Sequence, residues 1–254
     1  MNIAQKIKDD IQRFKLGSTF GYGDFNVPAD KLTTAAKAVE RLLKKGVIKK
    51  LSKGTFYKPK QTLFGDLTPS NNDVIKPYLF DNNKRIAYIT GQYLYNNLGL
   101  TTQIPSTIKI ASLSKRITIN KGAVKAKPAK SYVEVTDGNY YLLGLLDALK
   151  DFNNISDLNS DLAIKRMIYL IQLLDQKQLK NILKYAYKYP PRVRAVLGAI
   201  LEYIQVEVLL DKLKLSLNPL SNFHFVIKDE NLPTMKNWNI KWIYTQTANC
   251  LSKL

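Results

Sequence analysis

The amino-acid sequence predicts an α+β fold, and three observations support this class. Apolar residues recur at helical spacing near the N-terminus and again over residues 140–205. Residues 107–135 alternate lysine with apolar side chains, as the strands of a half-exposed sheet do. Hydrophobic residues make up 45% of the 254 positions, which is enough to build ordinary globular cores.

The sequence lacks the signals of a membrane or secretory protein. No run approaches the ~18 apolar residues of a membrane-spanning helix, and the N-terminus has no apolar core of a secretory signal. The single cysteine, Cys250, excludes an intramolecular disulfide and a multi-cysteine zinc site. We therefore expect a cytoplasmic protein that contacts no membrane.

Basic side chains dominate the charge of the chain. Thirty-nine Lys and Arg residues against 20 Asp and Glu give a formal net charge of +19. Residues 1–60 carry 14 basic and 5 acidic side chains, and residues 101–130 carry 7 basic side chains and no acidic one. Such a charge favours a polyanionic partner, although many lysine-rich proteins bind no nucleic acid.

The N-terminal segment predicts two long helices with a short element between them. An amphipathic helix covers residues 3–14, and a short glycine-punctuated segment covers residues 20–27. The second long helix starts with Thr33 or Thr34 as its N-cap and ends near Gly46. The apolar face of the first helix consists of Ile3, Ile7, Ile11 and Phe14.

A basic hairpin follows the second long helix. Two β-prone runs over residues 47–57 flank the turn Ser52-Lys53-Gly54. Helix, short element, helix and basic hairpin succeed one another in the order of a winged helix-turn-helix. In that fold the last helix enters the major groove of DNA, and the hairpin reaches the phosphates.

The exposed stripe of the second long helix and the hairpin supply the predicted DNA contacts. Lys37 and Arg41 are long enough to reach base edges, and the remaining lysines suit phosphates. A charged helix face can also be only a solvated surface, so the prediction depends on the stripe, the hairpin and the net charge together. The predicted DNA-binding residues are Thr34, Lys37, Arg41, Lys44, Lys45, Lys49, Lys50 and Lys53.

The rest of the chain predicts a mixed α/β domain and a mainly helical C-terminal region. Residues 61–82 are linker-like, and residues 86–89 predict a strand that runs into a helix. Four strands are expected within TIKIAS, KRITIN, GAVKAK and YVEV; their lysines favour either a second nucleic-acid or acidic-partner surface or protection of a sheet edge. The expected domains cover residues 1–60, 61–150 and 151–254, and the last region is expected to pack with the domain before it.

Catalytic, metal-binding and cofactor-binding residues are not expected. His224 is the only histidine, and its apolar surroundings favour a hydrogen-bonded structural role. Cys250 has no histidine close in sequence with which to form a nucleophilic site. Trp238 and Trp242 favour packing against the helices over anchoring a partner. We therefore expect a protein that is not an enzyme.

Three stretches resemble the AbiE-type (abortive infection, type IV) antitoxin family of toxin–antitoxin systems. The first is KAVERLLKKGVIKKLSKGTFYKP, which is similar to the family's winged-helix pattern. The second is ITGQYLYNNLGLTTQIP, in which Gly91, Leu94 and Leu98–Leu100 and the residues 101–105 match. The third is YPPRVRAVLGAILE.

The resemblance implies a function. Such antitoxins bind repeats in their own promoter through the winged helix, and their remaining portion counteracts a nucleotidyltransferase-like toxin, usually without a stable complex. It implies DNA contacts at seven of the predicted positions, which are Thr34, Lys37, Arg41, Lys44, Lys49, Lys50 and Lys53. Two alternatives stay open: a winged-helix regulator whose C-terminal half senses a ligand or dimerises, and an interaction protein that binds the toxin directly.

Overall fold

The computed structural model describes residues 2–63, 65–67, 69–81, 83–121, 124–206 and 210–244, with the side chain of Lys121 excepted. Cys250 lies outside the described residues. The chain divides into two compact units. The N-terminal unit comprises Met1–Ile86 and Ile117–Ala126, and the C-terminal unit comprises Ala87–Arg116 and Lys127–Leu254. Helices and several small sheets occur together, which confirms the predicted α+β class.

The N-terminal unit begins with the predicted winged helix-turn-helix. Its three strands form an antiparallel sheet in the order β1-β3-β2. A short 3-10 helix, Tyr22–Phe25, stands between β1 and α2 in place of the second helix of the motif. The elements in chain order are α1 (Ile3–Arg13), β1 (Thr19–Gly21), α2 (Leu32–Lys44), β2 (Lys49–Ser52) and β3 (Thr55–Tyr57).

The predicted cap of α2 is wrong. A 3-10 turn over Ala29–Lys31 leads directly into the helix, so that Lys31 is the N-cap and Thr33 and Thr34 lie in the first helical turn. The backbone is already helical in this turn, which precedes both threonines in the chain. The helix is therefore extended at its N-terminus, and both hydroxyl groups are exposed.

An aromatic cluster fixes α1 and α2 against the sheet. The ring centroids of Phe14 and Phe20 lie 4.8 Å apart, and those of Phe20 and Phe25 lie 5.7 Å apart in an edge-on arrangement. Ile7 and Ile11 of α1 are fully buried in the same cluster, as their predicted spacing requires. Burial of such side chains typically contributes ~1.5–3 kcal/mol each.

Two lysines of this unit have structural hydrogen bonds. Lys6 Nζ donates to the carbonyl oxygens of Phe25 and Asn26, at 2.7 and 3.0 Å. Lys58 Nζ donates to the carbonyl oxygens of Gln12 and Phe14 at the end of α1, where a cation also favours the helix dipole. Part of the basic excess therefore supports the fold and is not available to a partner.

The described residues between 61 and 82 form strands and a helix, so the linker-like prediction is wrong for them. Ser70 and Asp73 form a capping box at the start of α3, and the Thr19 hydroxyl donates to the Asp73 carbonyl oxygen. Val74 and Ile75 are buried. The elements are β4 (Lys60–Thr62), β5 (Gly65–Leu67), α3 (Asn71–Leu79), β6 (Phe80–Asp81) and β7 (Lys84–Arg85), and they belong to the N-terminal unit.

A four-stranded sheet with the order β10-β11-β9-β8 follows. Its burial alternates along Val124–Lys127, with lysines exposed and apolar residues buried, as predicted. The fourth predicted strand, over residues 132–135, is absent, because the Ser131 hydroxyl bonds the backbone of Val133 in a local turn. The elements are β8 (Ala87–Thr90), α4 (Gln92–Asn97), β9 (Ile108–Ser112), β10 (Ile119–Lys121) and β11 (Val124–Lys130).

Helices build the rest of the C-terminal unit around one apolar core. The predicted boundary at residue 150 falls inside α5, whose buried leucines share that core with the later helices, so the chain does not divide there. The parallel strands β12 and β13 complete the unit. The elements are α5 (Tyr140–Asp151), α6 (Ser160–Gln172), α7 (Gln176–Ala186), α8 (Pro191–Tyr203), α9 (Leu210–Leu215), β12 (Phe223–Phe225) and β13 (Ile240–Trp242).

A buried carboxylate, Asp147, is the polar centre of this core. It is 1% exposed, and its two oxygens accept hydrogen bonds from the hydroxyls of Tyr88 (2.8 Å), Thr90 (2.6 Å) and Tyr189 (3.2 Å). Lys150 Nζ lies 3.4 Å from Asp147 Oδ1. Burial raises the pKa of Asp147, and the positive charge of Lys150 opposes that effect.

The side chains considered for special roles fall into different environments. Trp238 is buried (2% exposed), as predicted, whereas Trp242 is 49% exposed. The His224 side chain is exposed and has no hydrogen bond to any described residue, whereas the His224 backbone oxygen accepts a hydrogen bond from the Asn153 side chain. The structural role predicted for the imidazole is therefore wrong. No helix within the described part of the chain is long and apolar enough to span a membrane.

Candidate nucleic-acid interface

All the side chains predicted to contact DNA are exposed. Helix α2 buries Ala35, Ala38 and Val39 against the unit and turns its polar stripe outward. Lys45 is the C-cap of α2, and strand β2 and the turn after it hold Lys49, Lys50 and Lys53 on the hairpin. The exposed residues are Thr34, Lys37, Arg41, Lys44, Lys45, Lys49, Lys50 and Lys53.

A groove runs between α2 and the hairpin and brings three of the predicted residues together. Lys37 of α2 lines it from one side, and Lys50 and Lys53 line it from the other. The groove has a volume of about 540 Å³. The other predicted residues, Thr34, Arg41, Lys44, Lys45 and Lys49, are outside its lining and lie elsewhere on the exposed surface.

The turn of the hairpin determines where Lys53 is displayed. Gly54 has φ +74°, a left-handed conformation that glycine adopts without steric cost. The two strands pair with a register shift between Lys50 and Ser52, which is typical of a β-bulge. The sequence Ser-Lys-Gly therefore forms a tight turn that presents Lys53 at the tip.

Two of the predicted lysines are paired with carboxylates. Lys44 Nζ lies 3.1 Å from Glu40 Oε1, four residues earlier on α2. Lys49 Nζ lies 2.6 Å from Asp66 Oδ2 on β5, and the hydrogen bond with Asp66 and its charge raise the pKa of Lys49. Five cations lie more than 4 Å from every described carboxylate: Lys37, Arg41, Lys45, Lys50 and Lys53.

Sequence reasoning missed part of the groove lining. Thr33 and Tyr22 line the groove beside Lys37. The sequence pattern predicts Thr33 as a helix cap. Tyr22 lies in a segment without a periodic pattern of apolar residues, so the sequence does not predict the direction of its side chain. The dipeptide Gly21-Tyr22 at the start of the 3-10 helix carries too little local information to place the ring.

Strand β11 carries a second basic surface, because Lys125 and Lys127 project from its exposed face. Lys109 of β9 is also exposed. No described carboxylate lies within 4 Å of these three ammonium groups. The structure therefore leaves both predicted roles for this surface open, nucleic-acid or acidic-partner contact and protection of the sheet.

The comparisons with known proteins identify a family. A family model described as "Family of unknown function (DUF6088)" matches residues 6–182, which include the winged helix and most of the helical core. The chain belongs to this family. No curated protein matches the chain.

A solved structure shows the same fold. The match is described as "Crystal structure of RV2827C protein from Mycobacterium tuberculosis", with a TM-score of 0.50 and 12% sequence identity. It covers 89% of this chain and 85% of that one. At this identity the likeness concerns the fold alone.

Proposed function

We propose that this DUF6088 protein is the antitoxin of a bacterial toxin–antitoxin system for abortive phage infection. It acts in the cytoplasm, represses its own operon by binding promoter DNA, and counteracts a nucleotidyltransferase-like toxin without enzymatic activity. The observation that carries the proposal is the exposed face of the winged helix. Three unpaired cations, Lys37, Lys50 and Lys53, line the groove between α2 and the hairpin, and Arg41 and Lys45 are exposed outside it.

The DNA-binding mode follows from the dimensions of the two partners. The major groove of B-DNA is ~12 Å wide and admits an α-helix. Helix α2 enters it with Lys37 and Arg41 directed at base edges, while Lys50 and Lys53 of the hairpin meet adjacent phosphates. Base contacts provide sequence choice, and phosphate contacts provide affinity that falls as salt rises.

The toxin-directed role is supported by the resemblance of three stretches to AbiE-type antitoxins. Two of them lie in the C-terminal unit, in ITGQYLYNNLGLTTQIP and in YPPRVRAVLGAILE at the start of α8. A nucleotidyltransferase-like reading frame beside this gene would support the assignment independently.

Fluorescence anisotropy tests the DNA-binding part. The protein is titrated onto a labelled duplex from upstream of its own gene and onto a scrambled duplex, at two salt concentrations. We expect binding to the upstream duplex to be at least ~10³-fold tighter, as for specific repressors. Equal and steeply salt-dependent binding to both duplexes would leave only an electrostatic role for the basic surface and would overturn the repressor proposal.

A polar cleft in the C-terminal unit favours a second candidate function, a winged-helix regulator that senses a small ligand. The cleft has a volume of about 510 Å³, and its lining includes Gln103, Lys109 and Asn154. The Tyr95 hydroxyl donates to Asp151 Oδ2 at 2.7 Å in its wall. Such a regulator would bind the upstream duplex but would not rescue cells from the neighbouring toxin.

A further inference from the structure

The outward face of α6 is apolar and basic, and no described element covers it. Leu162, Tyr169 and Leu173 are 65%, 50% and 62% exposed. Together with Arg166 they occupy positions i, i+4, i+7 and i+11, which place them in one narrow stripe. An exposed stripe of this composition on a core helix is typical of a protein-binding surface.

Arg166 is held in place at the centre of the stripe. Its Nε donates to the Leu98 carbonyl oxygen at 2.9 Å, and its guanidinium carbon lies 5.4 Å from the centroid of the Tyr169 ring. Tyr141 of α5 is 38% exposed. Burial raises the pKa of Tyr141, and the positive charge of Arg166 opposes that effect. Ordered arginine and tyrosine side chains lose little entropy on binding and dominate many interfaces.

The charge of this face is positive and uncompensated. Lys165 and Arg166 have no carboxylate of any described residue within 4 Å. The nearby carboxylates, at the start of α6 and at the start of α7, already accept hydrogen bonds from other residues. Asp161 accepts from Lys228 (2.8 Å) and Asn231 (2.9 Å), and Asp175 caps α7 through the backbone N–H of Gln178 (2.8 Å).

We propose that this α6 face docks the cognate toxin through a surface of the toxin that is apolar at its centre and carboxylate-rich around it. The inference rests on the proposed antitoxin function for the identity of the partner. Leucines and the tyrosine supply the apolar contact, and Lys165 and Arg166 pair with the carboxylates. A second copy of this chain is disfavoured, because an antiparallel pairing of two α6 helices would bring four cations together.

Site-specific photo-crosslinking tests the contact even when the complex is transient. A photo-crosslinking amino acid is introduced at position 169 or 173 of the full chain, and at position 220 as a control, since Leu220 is 87% exposed in the same unit. Each protein is co-expressed with the epitope-tagged nucleotidyltransferase-like protein that the proposed function expects to be encoded beside this gene. We expect a toxin crosslink from positions 169 and 173 and none from position 220.

A double variant, K165E/L173S, provides the functional test, with Leu220→Ser as the matched control. We expect K165E/L173S to lower colony survival under toxin expression by about tenfold or more, since central interface residues carry most of the affinity. The affinity of K165E/L173S for the upstream duplex is expected to stay within about twofold of the wild-type affinity. Retained DNA binding would show that the variant is folded. Leu220→Ser is expected to rescue as the wild type does.

The outcomes separate this inference from the proposed function. The wild-type protein and K165E/L173S could rescue cells equally well, with no toxin crosslink from positions 169 and 173. This result would overturn the α6 contact and leave the antitoxin proposal standing. A crosslinked product at twice the mass of this chain would identify a second copy of the chain as the partner of α6. That result would also overturn the inference. If the wild type itself fails to rescue, the antitoxin proposal fails first.

Discussion

Arg41 and Lys53 occupy different parts of the winged helix, and their substitution has different expected effects. Arg41 lies on the exposed face of α2 and Lys53 lies at the hairpin tip. We expect Arg41→Ala to cost about 1–3 kcal/mol on the upstream duplex and much less on a scrambled one, because a base contact is lost. We expect Lys53→Ala to weaken both duplexes equally and to lower the salt slope by about one unit.

Lys180→Ala is the matched control for these variants, since Lys180 is exposed on α7 and the substitution removes the same charge. Anisotropy titrations over a salt series measure all three proteins. Equal losses for Arg41→Ala on specific and scrambled DNA would contradict a base-reading role.

Asp66 restrains one of the predicted DNA-binding lysines. Its carboxylate lies 2.6 Å from Lys49 Nζ. We expect Asp66→Asn to release Lys49 and to remove a negative charge that repels the phosphates of DNA. Affinity for both duplexes should therefore rise, and the salt slope should steepen by up to about one unit. The slope of log K against log salt measures this effect. An unchanged slope would mean that Lys49 stays on the hairpin surface and does not meet DNA.

Asp147 is expected to make the stability of the fold dependent on pH. Because burial raises its folded-state pKa above the ordinary value of 3.8, the folded protein holds the proton more tightly than the unfolded chain does. Its stabilising contribution is therefore fully present below the unfolded pKa and is lost as the pH rises through the folded pKa. We expect the free energy of unfolding of the wild type, minus that of Asp147→Asn, to increase as the pH falls from neutrality.

Urea denaturation of both proteins at several pH values between neutrality and the ordinary carboxyl range measures this difference. A constant difference would show that Asp147 titrates alike in both states. A difference that shrinks on acidification would show that its folded-state pKa is depressed by Lys150 and the hydroxyl groups.

At the scale of elements, the contact between α8 and the 3-10 helix Pro233–Trp238 leaves no room for a methyl group. A Cβ at Gly198 would lie 2.3 Å from ring atoms of Trp238, which is buried and whose indole N–H donates to Glu202. We expect Gly198→Ala to lower the free energy of unfolding by about 1–3 kcal/mol, because overpacking outweighs the helix propensity of alanine.

Gly144→Ala in α5 is the matched control for this contact. Its Cβ would lie 3.1 Å from the end of the Leu94 side chain, which can rotate away. We expect a change of less than about 1 kcal/mol, since the propensity gain of alanine offsets the crowding. Thermal and urea unfolding compare the two variants, and similar losses would show that Trp238 moves aside readily.

At the scale of the whole molecule, the second basic surface is expected to add to the electrostatic attraction for DNA. Lys125 and Lys127 project from the exposed face of β11 and have no described carboxylate within 4 Å. We expect K125S/K127S to weaken the upstream and scrambled duplexes alike and to lower the salt slope by up to about two units. An unaltered slope would assign these lysines to protection of the sheet instead.

Much of the fold could be predicted from short-range sequence patterns. The spacing of Ile7 and Ile11, the turn at Lys53-Gly54 and the alternation along Val124–Lys127 each depend on residues near one another in the chain. Helical periodicity also predicted α5, α6, α7 and α8. Predictions failed at residues 61–82, the cap of α2 and the strand at 132–135, where local hydrogen bonds or a preceding 3-10 turn outweighed composition. The role of His224 and the boundary at residue 150 also failed, because both depend on how distant segments pack.

The sequence by itself determined the α+β class, the winged helix-turn-helix and the exposed set of candidate DNA contacts, because periodicity and turn chemistry act over a few residues. Only the tertiary structure decided which cations are free. Asp66 pairs with Lys49 across 17 positions, and Lys58 binds the end of α1. It also decided that Tyr88 and Tyr189 meet at Asp147, since such contacts arise only when distant segments pack together.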